Sequence, residues 1–510
     1  MLRSKANLLL SIRQITQVNA GKNTAGLDCQ VVNTPALRVK LAQEMGGETH
    51  KIRPTKRVYI PKSNGKKRPL GIPTIKDRVM QAIMKNLLEP EWEAVFEENS
   101  YGFRPGRGCA DAVQQAFTRL RDGGDTWVLD ADIKGFFDKI SHDHILESIG
   151  FVPGRNLIQG WLKAGFKDKG EFNPTNQGTP QGGVISPLLA NIGLHGLEEF
   201  IYSIPYRKTS KLGIVRYADD FIVTARSKEE IQIAKAKIEE WMKSRNLELS
   251  TEKTSIKRID EGFDFLGFNI RWYGETPSRD KTRRQKGSTL TKPSKDKTLS
   301  KCKELGEIIK LFVGETQERL ITKLNPILRG FANYYSHGVS KDVFRYISYR
   351  LWKYLWQWAK RRHPDKPKRW IKKTYFHRIG SCNWVFGCYI KDRRGDSRFL
   401  ELYSLPSTKV KRHIKVKGKA SPDDATLREY WEKRHQKDAK KRWDKGSVLD
   451  NVANNQSYKC QVCKGYLING EEIEIHHIVP VSEGGVDNIR NLQILHRACH
   501  KQVHSNTKLR

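Results

Sequence analysis

The sequence lacks any run of about eighteen uncharged apolar residues, the length that a helix needs to cross a bilayer. It therefore predicts no membrane-spanning helix. The basic first residues, which begin Met1-Leu2-Arg3, have no small-residue cleavage site and return to polar helical patterning, so we expect no secretory signal. Internal repeats are also missing. Together these absences favour a protein that stays inside the cell.

Acidic residues are scarce. There are 56 Asp and Glu against 93 Lys and Arg, which leaves a formal net charge of +37. A chain this basic repels itself unless a polyanion neutralises it, so nucleic acid is the expected partner, with a merely soluble basic surface as the alternative. The 12 Trp residues fit the first interpretation, because aromatic faces among basic side chains stack on unpaired bases, although most of them are expected in cores.

Cysteine is sparse and unevenly spread, with 8 residues in 510. Cys460, Cys463 and Cys499 lie close together near the C-terminus, whereas the other five are scattered. In the absence of a secretory signal, this clustering predicts metal binding in a reducing compartment rather than a disulfide framework. Cys460 and Cys463 form a C-x₂-C half-site, and His496 with Cys499 repeats that spacing. We expect these four residues to hold a structural Zn²⁺ rather than to be unconnected buried side chains.

Two adjacent carboxylates, Asp219 and Asp220, lie between two apolar, β-branched runs. This pattern predicts a β-hairpin that holds both acids at one edge of a sheet, because an ordinary polar turn rarely separates two such strands. A second apolar run, residues 127–133, carries Asp132 near its end. If the two runs are neighbouring strands, three carboxylates meet. Mg²⁺ prefers oxygen ligands, so we expect two Mg²⁺ ions at this place.

The segment around these carboxylates resembles the palm of a reverse transcriptase, and specifically that of the group II intron class. Further motifs of that class follow one another in order along the chain: Ile60-Pro61-Lys62, Arg68-Pro69-Leu70-Gly71-Ile72-Pro73, Ser100-Tyr101-Gly102-Phe103-Arg104-Pro105, Gln177-Gly178-Thr179-Pro180-Gln181-Gly182-Gly183, Ser186-Pro187 and Phe265-Leu266-Gly267-Phe268. The stretch Leu328-Arg329-Gly330-Phe331-Ala332-Asn333-Tyr334-Tyr335 resembles the thumb, or maturase X, region. The ordered set over residues 55–390 carries the resemblance, whereas each motif alone is weak evidence.

The resemblance implies a role for several residues beside the carboxylates, which would themselves be catalytic. Lys62 and Arg68 would bind the triphosphate of an incoming dNTP. Gln181 would lie beside the nascent base pair. Phe136 or Phe137 would exclude a ribose 2′-hydroxyl, and the spacing does not choose between the two. Two further acids of this region, at positions 130 and 138, are interpreted as solvent-facing or structural.

A group of polar residues near the C-terminus resembles the ββα-metal fold of HNH endonucleases. In that resemblance His477 is the general base, and Asn491 orients it through a hydrogen bond. His476 would be a ligand of a catalytic divalent metal, for which we expect Mg²⁺. His500 and His504 lie four residues apart, hence on one face of the closing helix, where both reach that metal. A purely structural zinc ribbon would leave His477 and Asn491 without a role.

These patterns predict an α+β multidomain protein: a right-hand polymerase with fingers and an antiparallel palm sheet, a helical thumb and a C-terminal ββα-metal module. The predicted segments are an N-terminal extension (1–55), fingers and palm (56–270), an exposed basic connector (271–300), a helical thumb (301–365), a basic DNA-binding region (366–450) and an HNH endonuclease with its zinc site (451–510).

The resemblance implies a multifunctional protein encoded by a group II intron. It would copy intron RNA with dNTPs, assist splicing of that RNA as a maturase, and nick target DNA during retrohoming. One alternative is a splicing-only, RNA-binding maturase with inactive enzymatic centres, which the complete carboxylate and histidine sets disfavour. Another is a host-domesticated or defence-linked reverse transcriptase, which the thumb motif and the HNH module disfavour. The sequence does not predict the oligomeric state.

Overall fold

The structure, a computed structural model, describes residues 2–47, 50–61, 65, 67–121, 124–205, 212–274, 276–277, 284–285, 287–391, 397–440, 443, 446–469 and 471–507. The α-helices are α1 (Lys5–Arg13), α2 (Pro35–Gly47), α3 (Ile75–Val95), α4 (Cys109–Leu120), α5 (Phe136–Lys139), α6 (His142–Ile149), α7 (Arg155–Lys163), α8 (Ser186–Gly193), α9 (Leu197–Ser203), α10 (Lys228–Lys243), α11 (Lys295–Leu311), α12 (Gln317–Tyr335), α13 (Lys341–Arg362), α14 (Lys368–Tyr375), α15 (Arg428–Lys440), α16 (Val448–Asn455) and α17 (Arg497–Thr507). The strands are β1 (Thr55–Pro61), β2 (Lys67–Ile72), β3 (Trp127–Asp132), β4 (Phe166–Asp168), β5 (Glu171–Asn173), β6 (Gly213–Tyr217), β7 (Asp220–Ala225), β8 (Ser255–Arg258), β9 (Phe263–Phe265), β10 (Phe268–Tyr273), β11 (Thr276–Pro277), β12 (Arg284–Gln285), β13 (Ser288–Pro293), β14 (Phe376–Ile379), β15 (Cys382–Lys391), β16 (Ser397–Glu401), β17 (Ile473–His477) and β18 (Leu492–His496).

The central sheet has four strands in the order β6-β7-β3-β8, and every neighbouring pair is antiparallel. Both of its faces are covered. Val128 and Ile222 pack with helix α4, whereas Leu129 and Phe221 belong to a larger core that includes α8 and α10. Because successive side chains of a strand point to opposite faces, apolar runs of this kind produce a sheet buried on both sides. The predicted antiparallel palm sheet is confirmed.

Helix α10, which covers one face of this sheet, begins at a capping box. The Ser227 hydroxyl accepts a hydrogen bond from the Glu230 backbone N–H at 3.3 Å, and the Glu230 carboxylate accepts one from the Ser227 N–H at 2.8 Å. This pairing satisfies two donors that a helix start otherwise leaves unpaired. The apolar residues Ile231, Ala234 and Ile238 then face the core at helical spacing.

A second four-stranded sheet has the order β2-β1-β4-β5, and its strands come from before β3 and from between β3 and β6 in the sequence. Strands β1 and β2 form an antiparallel hairpin in which Ile60 lies opposite Arg68. Helices α1 and α2 share a core with α3 through Ile12, Leu41 and Val79. The helical character predicted for the first fifty residues is therefore confirmed.

Among the helices of the described residues, none combines the length and apolar character needed to cross a membrane.

The prediction of an exposed basic connector over residues 271–300 is wrong where the structure describes that segment. Strand β10 pairs with β13 over six residues, and helix α11 begins at Lys295. Thr289 is buried, and its hydroxyl donates a hydrogen bond to the Leu120 carbonyl at 2.8 Å, which fastens β13 to helix α4. A short polar strand among so many charges has too weak an apolar alternation to be visible in the sequence.

Helices α11 to α14 surround one apolar core, as the helical pattern predicted for residues 301–360. Within the aromatic motif of α12, Phe331 and Tyr335 are buried in this core, whereas Tyr334 is half exposed. The antiparallel sheet β14-β15-β16 packs beside it. The charged helix α15 follows later in the chain. The last elements, β17, β18 and α17, form a ββα module with a core of its own.

Candidate active sites

The three predicted carboxylates meet at one edge of the central sheet. Strand β3 pairs with β7 so that Asp132 lies directly opposite Asp220, and Asp219 occupies the two-residue turn between β6 and β7. Ala218, the first residue of that turn, has a left-handed φ of 59°, a conformation that a residue with a Cβ rarely adopts. The catalytic hairpin, as we call residues 213–225, therefore stores backbone strain beside its acids, as functional sites often do.

Burial and mutual repulsion perturb this cluster. Burial, followed by the charges of Asp130, Asp132 and Asp219, raises the pKa of Asp220 to about 7. Burial and the charge of Asp132 also raise the pKa of Asp219. The Lys253 ammonium lies 2.7 Å from an Asp132 carboxylate oxygen and compensates only part of the negative charge. An oxygen-rich site with this excess of acidic groups fits divalent cations.

Asp130, which the sequence led us to treat as solvent-facing or structural, belongs to the same cluster. It precedes Asp132 by two residues on β3, so both side chains lie on one face of the sheet. Burial raises the pKa of Asp130 to about 6, with contributions from the charges of Asp264 and Asp132. The solvent-facing interpretation is wrong, and the spacing of two residues along a strand was the signal that could have corrected it.

Of the three polar residues predicted to bind dNTP, Arg68 lies within electrostatic reach of the carboxylates, and Gln181 lies in a loop next to β2. Arg68 is exposed on β2, and its charge lowers the pKa of Asp219 in opposition to burial. The Gln181 carbonyl accepts a hydrogen bond from the Gly71 N–H at 2.7 Å, so the loop that carries Gln181 is fastened to β2. Lys62, the third residue, lies outside the described residues.

The structure separates the two phenylalanines between which the spacing could not choose. Phe136 is 1% exposed and belongs to the core beneath the sheet. Phe137 is half-buried and lines a cavity of about 500 Å³ together with Thr179, Pro180 and Gly71. Its carbonyl accepts a hydrogen bond from the Thr179 N–H at 2.6 Å. Of the two rings, that of Phe137 is therefore the one available to a ligand.

The four residues predicted to hold zinc converge. Potential ligand atoms of Cys460, Cys463, His496 and Cys499 all lie within 4.8 Å of one another. His496 Nδ1 is 3.2 Å from the Cys463 sulfur, and its Nε2 is 3.0 Å from the Tyr466 carbonyl, which orients the ring. The donor set of three sulfurs and one imidazole nitrogen fits a tetrahedral metal site.

The three histidines predicted to hold the catalytic metal also converge, and each offers a nitrogen within 4.8 Å of the others. His500 and His504 project from one face of α17, with their Nε2 atoms 3.0 Å apart. His500 Nδ1 lies 2.6 Å from the Glu474 carboxylate, an arrangement that orients metal-binding imidazoles. His476 Nδ1 is buried and has no hydrogen-bond partner among the described residues. These features fit a metal ion held by the three rings.

His477 and Asn491 lie next to this histidine cluster, but the predicted hydrogen bond between them is wrong. The Asn491 amide oxygen accepts from the Val479 N–H at 2.8 Å, and its amide nitrogen donates to the Val479 and Val486 carbonyls at 3.1 and 3.0 Å. Asn491 thus closes the loop that follows β17 instead of holding the imidazole. The partner of His477 Nε2 is an Asp487 carboxylate oxygen at 2.5 Å.

Protein-family models match four separate stretches of the chain. Four models match: N-terminal domain of reverse transcriptase over residues 1–45, reverse transcriptase (RNA-dependent DNA polymerase) over 60–270, group II intron maturase-specific domain over 300–376, and HNH endonuclease over 460–506. Protein YkfC of Escherichia coli is 33% identical over 306 residues, which cover 51% of this chain and 80% of that protein. The group II intron-encoded protein LtrA of Lactococcus lactis is 31% identical over 61% of this chain and 65% of its own length.

The chain belongs to the family of group II intron-encoded proteins.

This family assignment extends the motif evidence at both ends. The N-terminal model covers helices α1 and α2, for which the sequence offered no chemical motif. An uncharacterized 91 kDa protein in the cob intron of Schizosaccharomyces pombe is 26% identical over 96% of this chain and 67% of that protein. The structure of apo telomerase from Candida tropicalis matches at a TM-score of 0.34 and 15% identity, over 44% of this chain and 54% of the other. That likeness is too low to carry an argument.

Proposed function

We propose that this protein copies intron RNA into DNA, assists splicing of the intron, and nicks target DNA during retrohoming. The observation that carries the polymerase activity is the register of β3 and β7, which sets Asp132 opposite Asp220 and beside Asp219. Acidic residues that only face solvent would not need to lie this close to one another. The pKa values of Asp130, Asp219 and Asp220 are raised by burial and by repulsion between the acids, an arrangement that suits cation binding rather than folding stability.

In the polymerase site, Asp132, Asp219 and Asp220 would hold two Mg²⁺ ions. Bound there, these ions would lower the pKa of the primer 3′-hydroxyl and stabilise the leaving pyrophosphate. Arg68, together with Lys62, would bind the triphosphate of the dNTP. The loop that carries Gln181 would contact the nascent base pair.

We assign the exclusion of the ribose 2′-hydroxyl to Phe137 rather than Phe136. The support is exposure, since a ring that is 1% accessible has no surface for a nucleotide, whereas the ring of Phe137 lines a cavity that Pro69 and Gly71 of β2 also line.

In the HNH module, His477 would act as the general base, and Asp487 would hold its ring through Nε2. His476, His500 and His504 would hold a divalent ion, for which we propose Mg²⁺; when bound it would polarise the scissile phosphate. Asn491 would stabilise the loop after β17 through its hydrogen bonds to Val479 and Val486. A structural Zn²⁺ on the three cysteines and His496 would join α17 to the turn that carries Cys460.

The expected partners are intron RNA, target DNA and dNTPs. The net charge of +37 supports polyanion binding, and the maturase-specific match supports intron RNA as one of the polyanions. In the family, the RNA inserts into one DNA strand and the endonuclease cuts the other, whose 3′ end primes copying. The two centres should therefore be separable.

Asp219→Ala should abolish primer extension on an RNA template, because the remaining carboxylates no longer surround both Mg²⁺ positions. Extension with purified protein and filter binding of intron RNA measure the two properties. RNA binding should change less than about twofold, since the loss of one carboxylate removes no cationic contact to phosphate. Unchanged extension would refute the metal-site assignment.

His477→Ala should remove DNA nicking while leaving primer extension at the wild-type level, because the two centres lie in separate modules. A nicking assay on a double-stranded target and an extension assay on the same preparation give both readings. If both activities fell together, the model of two centres would be wrong. If wild-type protein bound and spliced intron RNA but showed neither activity, the splicing-only alternative would replace it.

A further inference from the structure

Phe103 combines an exposed ring with an unfavourable backbone. Its φ is +61°, a left-handed conformation that bulky residues rarely adopt, and its side chain is 48% exposed. A large apolar residue gains nothing for folding from such a position. Strained conformations persist only where the surrounding structure enforces them, and they concentrate at functional sites.

The residues before Phe103 fasten its loop to the catalytic hairpin. The Tyr101 N–H donates to the Arg216 carbonyl at 2.9 Å, and the Arg216 N–H donates to the Asn99 carbonyl at 2.9 Å. Gly102 lies flush against the turn itself, because a Cβ placed on it would come within 2.4 Å of the Ala218 nitrogen. The backbone just before Phe103 therefore has no freedom to move away from the acids.

The residue after Phe103 is equally constrained. Arg104 is buried, and its guanidinium donates to the Glu93 carboxylate through Nε at 2.9 Å and through Nη2 at 2.9 Å. Its Nη1 donates to the Glu97 and Ser100 carbonyls at 2.6 and 2.9 Å. Charge-assisted bonds of this kind are strong and directional. The strain at Phe103 is thus imposed from both sides.

The ring of Phe103 is directed at Phe137. The two centroids are 6.3 Å apart at an interplanar angle of 78°, an edge-to-face contact. On its other side Phe137 meets the buried Phe136, at 5.3 Å and 69°. Phe137 therefore packs between Phe136, which belongs to the core, and Phe103, which belongs to the strained loop. Without either ring, the side chain of Phe137 would be free to rotate.

We propose that Phe103 is a positioning residue for Phe137, and that its strained loop sets how strictly the polymerase site rejects ribonucleotides. The inference rests on the proposed function, in which Phe137 excludes the 2′-hydroxyl. It adds that the exclusion depends on a second ring, which reaches Phe137 from the loop fastened to the catalytic hairpin.

The test is the ratio of kcat/KM for a dNTP to that for the matching rNTP, measured by single-nucleotide primer extension. Phe103→Ala should lower this ratio by about five- to tenfold, the size that one edge-to-face aromatic contact supplies, chiefly through faster rNTP incorporation. Phe103→Tyr keeps the ring and should retain the wild-type ratio. Phe151→Ala removes a fully exposed ring from another loop and serves as the matched control.

Two further variants distinguish a positioning role of Phe103 from a loss of protein stability, and from an error in the role proposed for Phe137. Phe103→Gly removes the ring but tolerates positive φ, so it should lose discrimination while its Tm stays at or above that of the wild type. In a Phe137→Val background, Phe103→Ala should add nothing. An unaltered ratio in Phe137→Val would refute the assignment of Phe137 itself. A reduced ratio in Phe137→Val with a wild-type ratio in Phe103→Ala would refute only the role of Phe103.

Discussion

Asp220 has an ordinary pKa of 3.8 in an unfolded chain, and burial with three acidic neighbours raises it to about 7 in the folded protein. Between these two values the native state binds a proton that the unfolded state does not. The stability that this group contributes is therefore fully present below about pH 4 and is lost as the pH rises through about 7. The folding stability of the metal-free protein should therefore fall between about pH 4 and about pH 7. A bound cation should restore that stability, because it neutralises the same carboxylates as the proton.

We expect Mg²⁺ to raise the Tm of the protein more at about pH 8 than at about pH 6, because protons and Mg²⁺ compete for the same carboxylates. Differential scanning fluorimetry with and without Mg²⁺ measures the gain. Asp220→Asn, which keeps the shape of the side chain but not its charge, should reduce both the gain and its pH dependence. An equal gain at the two pH values in the wild type would contradict the assigned cause.

The sequence could identify a residue of a site only where its partner lay close to it along the chain. Asp130 and Glu474 each precede a predicted site residue by two positions on a strand, so strand geometry could have placed them on the same face as that residue. Lys253, which pairs with Asp132, is 121 positions away from it, and no local pattern connects the two. Asp487 lies in a loop, where nothing periodic indicates a direction.

At the scale of elements, helix α17 carries potential ligands of both proposed C-terminal metal sites. Cys499 belongs to the cysteine-rich site, and His500 and His504 belong to the histidine cluster. A helix of 11 residues is marginal by itself in water, so its position depends on what it is fastened to. We therefore expect a metal ion in the cysteine-rich site to support the position of the histidine cluster.

Removal of zinc should unfold the ββα module and abolish nicking while primer extension continues. The double variant Cys460→Ser and Cys463→Ser should contain no zinc by metal analysis, in contrast to one ion per wild-type chain. Cys388→Ser, which changes a cysteine outside both sites, is the control and should keep its zinc. Loss of primer extension in the double variant would show that the module supports the polymerase, against this prediction.

Elements with strong periodicity were predictable, and those stabilised by distant contacts were not. Helix α10 follows from its capping box and its apolar spacing, both local properties. Strand β13 was missed because its burial comes from β10 and from the Leu120 carbonyl, 169 positions before Thr289. The ββα module was predictable because metal ligands impose a fixed spacing that remains visible in the sequence.

At the scale of the whole molecule, the order of motifs predicted the order of domains but not their contacts. Asp111, at the start of α4, accepts a hydrogen bond from the Val416 N–H at 2.8 Å, and Arg434 and His413 lie 3.1 and 2.9 Å from its carboxylate. Burial opposes ionisation here, but these partners keep the pKa of Asp111 below its ordinary value. The segment before the HNH module is thus fastened to the palm, a contact across some 300 positions that no local pattern contains.

The excess of positive charge should dominate binding of intron RNA, and helix α14 offers a sharp test of it. Its outer face carries the exposed residues Lys368, Arg369, Lys372 and Lys373. The affinity of the wild-type protein for RNA should fall about 10³-fold between about 50 and 200 mM salt. The combined Lys368→Ala and Arg369→Ala variant should reduce the slope of log K against log salt by about one for each phosphate contact that is lost. Lys237, equally exposed but paired with Glu240 at 3.0 Å, is the matched control, and Lys237→Ala should leave the slope unchanged. An α14 variant that bound more weakly at an unaltered slope would mean that this helix does not contact phosphate.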